Sequence, residues 1–329
     1  MPEGKVTMTP EEITLIRQVM PETLDFPYYP DRESAWVLAQ MMPEVASVAR
    51  LRQMPFGKLL SRPALRPLVA QGGGVLNRRD ILAVAHAHWA MHMEALSAAG
   101  LDAVDATFAL PWHDFELSFD SWGLRRWYFD QTTRQAGNLV LQMGFPSDHA
   151  AIMGRYLTPG VRKTFEYPAH PIRISGRPTL AWARLDIDLS SGDALIEEVQ
   201  SDWLRFASEE VDELRESAPR SRELASMERY RADLVARYGK IWSRAMLLAA
   251  LLVLRDELAL RRVWMHQPGP GTVFKRIDWS GPPRSLYSDL PKSFGFAPTR
   301  ERPGFLRRLP ARVRRKLPKE GPLFWLMTF

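Results

Sequence analysis

The stretch from Thr179 to Asp202 constrains the fold more than any other part of the chain. Leu180, Trp182, Arg184 and Asp186 alternate with Ala181, Ala183, Leu185 and Ile187, the period-two pattern of a strand. Ser190-Ser191-Gly192-Asp193 supplies turn chemistry, and Ala194 to Gln200 reads as the returning strand of a hairpin. Ser201-Asp202 then offers a cap for a following helix. Helical sequence over 205–240, split at Pro219, leads into an apolar helix from Ile241 to Leu260. A short strand at Arg262–His266 follows, then a loop at Pro268-Gly269-Pro270-Gly271. A helix from Ser285 to Phe294 that contains Pro291 and a closing strand from Leu323 to Phe329 complete the chain.

The first third has a different texture. Thr9-Pro10-Glu11-Glu12 is a capping box that opens a helix through Met20. Further helices are expected from Asp31 to Met42, from Pro43 to Gln53 and, after Gly72-Gly73-Gly74, from Arg79 to Ala99. Glu116–Phe119 and Asn138–Phe145 read as strands, and Ser147-Asp148 caps a helix through Leu157. The expected fold class is α+β. A mostly helical N-terminal region, 1–158, packs on a mainly antiparallel C-terminal sheet with helices, 159–329, with the boundary near Pro159.

Composition limits the chemistry. The 329 residues are 46% hydrophobic and 25% charged, which excludes wholesale disorder. With no cysteine, disulfides, thiolate zinc sites, iron–sulfur clusters and a cysteine nucleophile are excluded. The greasiest run, Ala245 to Leu254, is about half of the ~20 residues needed to span a bilayer. Met1-Pro2-Glu3-Gly4-Lys5 has no apolar signal region, so a cytoplasmic protein without a membrane span is expected. Oligomeric state is open, with a homo-oligomer among the options.

Charge is unevenly placed. The chain carries a formal +6, and the segment 297–319 holds nine basic residues against one acid, Glu301. Such a cluster attracts phosphates or acidic surfaces, so the expected partner is a nucleic acid or an acidic protein. Arg312, Arg314, Arg315 and Lys316 are close enough together to follow a phosphate backbone, with Phe324 and Trp325 soon after. The plainer alternative is a solvated basic loop lying against acidic helices.

The string Ile196-Glu197-Glu198-Val199-Gln200-Ser201-Asp202-Trp203 is the most distinctive. In a strand, Glu198, Gln200 and Asp202 share one face, and Glu197, Val199 and Ser201 the other. Two carboxylates and an amide where a strand turns into a helix can act as general base, amine site or ligand set. Glu198 and Asp202 are therefore candidate catalytic groups, and Gln200, Trp203 and Lys240 candidate substrate contacts. The structural alternative is a capped strand-to-helix junction. His88 and His92, at i and i+4 beside His86, have metal-compatible spacing but no identifiable third ligand, and no metal is expected. Gly-x-Ser-x-Gly, Walker and Gly-x-Gly-x-x-Gly motifs are absent from the sequence.

Two resemblances rest on these residues. The Ile196–Trp203 string resembles the "EEIQSDW" signature in domains of large polyvalent proteins of phages and mobile elements. Lys240-Ile241-Trp242, Arg262-Val263-Trp264 and Leu286-Tyr287-Ser288-Asp289-Leu290-Pro291-Lys292 are similar to further segments of those domains. The order of strands and helices from Ala194 to Phe329 is similar to the second half of the GNAT N-acyltransferase fold. That resemblance implies acyl transfer to an amine, acyl-CoA as donor, and Tyr287 as the acid that protonates the leaving thiolate. It also implies a pyrophosphate site at a helix N-terminus, where Arg237-Tyr238-Gly239-Lys240 stands, and Gly295-Phe296 echoes the family's closing Gly-Phe.

Overall fold

The computed structural model describes residues 8–86, 112–123, 132–134, 137–158, 165, 170, 176–277, 284–306 and 309–329. Helix α1 (Pro10–Val19) begins with the expected box: Thr9 Oγ1 accepts from the Glu12 N–H, and the Thr9 N–H donates to Glu12 Oε2 at 2.9 Å. Strand β1 (Thr23–Tyr28) follows. Next come α2 (Arg32–Met41), β2 (Val45–Ser47), α3 (Val48–Gln53), α4 (Arg66–Gln71), β3 (Val75–Asn77) and α5 (Arg78–His86). The helix expected from Pro43 to Gln53 is thus a three-residue strand followed by a six-residue helix. Ala46 is buried between exposed Val45 and Ser47, a period of two, and β2 pairs antiparallel with β3. Ser47 then caps α3 by accepting from the Arg50 N–H.

The remaining elements are β4 (His113–Trp122), β5 (Asn138–Gly144), α6 (His149–Tyr156), β6 (Thr179–Asp188), β7 (Asp193–Gln200) and α7 (Asp202–Ser217). After them run α8 (Arg222–Tyr238), α9 (Trp242–Leu252), β8 (Arg262–His266), α10 (Pro268–Lys275), α11 (Arg284–Ser293), β9 (Ala297–Thr299), α12 (Ala311–Lys316) and β10 (Phe324–Thr328). Pro268-Gly269-Pro270-Gly271, expected as a loop, is instead the first turn of α10. A proline at a helix start surrenders only an N–H that has no intrahelical partner. Two compact units result: Met1–Asp25 with Phe115–Phe329, and Phe26–Asp114. The boundary expected near Pro159 lies outside the described residues.

Eight strands form one sheet in the order β1-β4-β5-β6-β7-β8-β10-β9, and the fold class is α+β. Pairing is antiparallel from β4 through β7, and β10 is antiparallel to both β8 and β9. The predicted hairpin is present, with Gly192 at φ 70° in its turn and Asp188 accepting from Ser190 and Ser191. β7 and β8 are parallel, so α7, α8 and α9 make the long crossover between them. Their pairing runs from Asp193–Arg262 to Ile196–Met265, and β7 continues to Gln200 paired with β6. Ala245 to Leu251 of α9 are buried and lie over β6 and β7. Leu195, Trp264, Phe274, Phe305, Val313 and Phe324 form a core at the C-terminal side of the sheet.

Candidate functional site

Where β7 and β8 part, charged side chains enter the interior. The strand residues Asp193 to Val199 are all buried, so both Glu197 and Glu198 are forced inside whichever face they occupy. Glu197 Oε2 accepts from Thr133 Oγ1 at 2.8 Å and Oε1 from the Thr133 N–H at 3.0 Å. His266 Nε2 lies 3.3 Å from Glu197 Oε2 and 2.8 Å from Thr133 Oγ1. Lys275 Nζ donates to the Glu197 carbonyl, and on the other face Arg184 pairs with Glu198. Helix α10 reaches β8 this closely because residue 271 is glycine: a Cβ there would stand 3.0 Å from His266 Cβ.

Electrostatics balance inside this cluster. Burial pushes the Glu197 carboxyl up, but the His266 hydrogen bond and the charges of His266, Lys275 and Arg184 win and hold it at about 2. Burial lowers the His266 imidazole despite Glu197, and lowers the Lys275 ammonium despite Glu198 and Glu197. Two carboxylates thus face one guanidinium and one ammonium, a neutral arrangement that avoids the several-kcal/mol cost of an unpaired buried ion. The space enclosed by His266, Gln267, Gly271, Lys275 and Tyr287 is about 10 Å³, the size of a single water molecule.

The residues singled out in the sequence separate into three places. Glu198 is held by Arg184, and Gln200 Nε2 donates to Asp202 Oδ1. Asp202 also accepts from Trp182 Nε1 at 2.8 Å and Arg205 Nη2 at 2.7 Å, and lies 2.8 Å from His170 Nδ1. Burial would raise its carboxyl, but His170, Trp182 and Arg205 hold it below the usual range. So engaged, Asp202 anchors the junction between β7 and α7. Trp203 is buried, stacked on Phe165 and edge-on to Phe145, and its Nε1 donates to Tyr230. It packs as a core residue. Lys240 is exposed in the turn between α8 and α9.

Tyr287, on α11, does reach the parting. Its hydroxyl faces the Val199 backbone N–H without completing a hydrogen bond among the described residues. Burial, aided by Glu198, raises its phenol well above the ordinary tyrosine range. The groups present do not fit acyl-CoA. The pyrophosphate site implied at Arg237-Tyr238-Gly239-Lys240 lies before α9, where Gly239 is the one glycine and a Cβ on it would stand 2.6 Å from the Val235 carbonyl oxygen, so the backbone there is packed rather than open to an anion. Arg237 is spent on Asp233 and Asp148, and Lys275 fills the space at the Glu197 carbonyl.

The basic segment makes the roomier feature. Helix α12 sinks Val313 into the core and leaves Arg312, Arg314, Arg315 and Lys316 exposed. Arg312 and Lys316, one turn apart, join Arg276 from the end of α10 around a cavity of about 260 Å³. Val273, Ile277 and Val313 line it as well, and no acid does among the described residues. Phe324 and Trp325, expected near a nucleic-acid face, are instead buried in β10 and cannot stack on a base. Arg300 is bound to the carbonyls of Pro318 and Gly321.

Sequence reasoning missed Glu197, His266, Lys275 and Arg276. The signal for Glu197 was present: Ala194-Leu195-Ile196 is a continuous apolar run, which marks a strand covered on both faces. Nothing local marks the others, because they meet only through the β7–β8 crossover. His88 and His92 lie outside the described residues, and no group of three or more potential metal ligands occurs among those described. Among the described residues no helix is long and apolar enough to cross a membrane. Comparison of the chain with protein-family models, curated proteins and solved structures finds no match.

Proposed function

We propose that this chain binds nucleic acid through the basic face formed by α12 and the end of α10. The observation that carries this reading is the convergence of Arg276, Arg312 and Lys316 on one cavity, with no carboxylate among the described residues that line it. Arg314 and Arg315 lie on the same short helix and add to its positive charge. Binding of this type releases counterions. With about four phosphates neutralised on a single strand, log K should fall with log salt at a slope of about −3. Gel-shift titrations of single-stranded RNA and DNA at two salt concentrations measure this, and neutralising Arg312, Arg314, Arg315 and Lys316 together should abolish the shift. Failure of both polymers to bind at low salt removes the reading.

A second reading, acyl transfer to an amine, draws support from one feature: Tyr287 stands opposite the Val199 N–H where two parallel strands part. It requires a donor held otherwise than at the start of α9. Calorimetry with acetyl-CoA addresses it, and a null result at millimolar concentration ends the acyl-CoA version.

A further inference from the structure

We propose that the cavity between α10 and α12 is a seat for one nucleotide unit, its phosphate on Arg276, Arg312 and Lys316 and its ring on Val273, Ile277 and Val313. This rests on the nucleic-acid reading and adds to it a specific occupant. A track that reads phosphates by charge alone needs only a row of cations. Here three cations from two separate elements surround a space with an apolar wall. Its volume, about 260 Å³, falls just below the ~300–1,000 Å³ of typical ligand pockets, which suits one nucleotide and not two. Two guanidiniums with an ammonium match a doubly charged phosphate better than a single carboxylate, since each guanidinium can give paired hydrogen bonds.

The placement of Arg276 supports the same conclusion. It ends α10 at φ 58° and ψ 39°, its N–H bonded to the Thr272 carbonyl, in the left-handed region that ordinarily favours glycine. An arginine there gives up some backbone stability relative to glycine, and its side chain is directed to the cavity rather than to any carboxylate among the described residues. On α12, Val313 anchors the helix to the core, so Arg312 and Lys316 are presented from a fixed base. Thr272 adds a hydroxyl at the rim, although it already donates to the Gly269 carbonyl.

Calorimetric titration of the full chain with AMP, inorganic phosphate, adenosine and a single-stranded 12-mer tests the proposal. AMP should bind at least about tenfold more tightly than either phosphate or adenosine alone, because the two parts of the cavity act together. Arg276→Gly should weaken AMP by about tenfold or more while the melting temperature holds or rises, since glycine suits that backbone. Arg222→Ala, an exposed charge on α8, serves as the charge-matched control and should leave AMP binding unchanged. AMP binding no tighter than inorganic phosphate, or unaffected by Arg276→Gly, overturns the seat. If the 12-mer binds and AMP does not, the seat fails while the nucleic-acid reading stands. If neither binds, both fail.

Discussion

Asp193 shows how much one buried carboxylate organises. Sequence makes it a turn residue, yet it is fully buried and gathers the start of β7, β8 and a loop beyond them. It accepts from Arg262 Nε at 2.7 Å and Nη2 at 2.9 Å, from Trp264 Nε1 at 3.1 Å and from the Gly304 N–H at 3.0 Å. Removing it leaves buried donors without an acceptor, a larger loss than the net worth of any one bond. Asp193→Ala should therefore cost about 3 kcal/mol, read as a lowered urea midpoint at unchanged slope. A midpoint shift equivalent to under about 1 kcal/mol would mean that water replaces the carboxylate without loss.

At the level of elements, α10 lies close against β8. Gly271 faces His266, whereas Gly269, two residues earlier, has nothing within 4 Å of where a Cβ would stand. Gly271→Ala should force α10 off β8 and cost about 1–3 kcal/mol, and Gly269→Ala should be neutral or slightly stabilising. Thermal melts of the pair distinguish a packing effect from a general glycine effect; equal shifts would contradict the close approach. The same helix illustrates what was legible in the sequence. Patterns set by neighbours along the chain were readable: the β6–β7 alternation, the α1 capping box and the break at Pro219 all appear where expected. The Pro268–Gly271 turn was not, because proline and glycine mark a loop locally and only packing against His266 selects the helix. For the site the contrast is sharper. The Glu198–Asp202 row was visible as a string, but its partners Arg184, His170 and Trp182 are supplied by distant segments and turn potential catalysts into structural pairs.

For the molecule as a whole, buried titratable groups set a pH dependence. His149, stacked on Phe145 and accepting at Nε2 from Tyr230, is depressed by burial and by Arg237 to about 3. Between about pH 6.5 and 3 the unfolded chain binds a proton there and the native chain does not, so stability falls by up to ~1.4 kcal/mol per pH unit as the medium is acidified. His266 acts in the same direction. Glu197, held at about 2 against an unfolded value of 4.5, adds to the loss below pH 4.5. Asp186, raised by burial to about 6 despite Arg134, opposes them between about pH 6 and 4 because the native state takes up that proton first. Two histidines outweigh one carboxylate, so the melting temperature should drop from pH 7 to pH 5, less steeply in His149→Phe. An equal or higher value at pH 5 would refute this. The long α7–α9 crossover, finally, has a consequence for how the chain acquires its shape. β4 to β7 are joined in sequence order by antiparallel pairing, but β8 can meet β7 only after more than sixty intervening residues have been ordered. Closing so long a loop costs entropy before any contact returns it. The β7–β8 seam is thus expected to form after the folding barrier: Val263→Ala should accelerate unfolding and leave the refolding rate nearly unchanged, whereas Leu185→Ala should slow refolding.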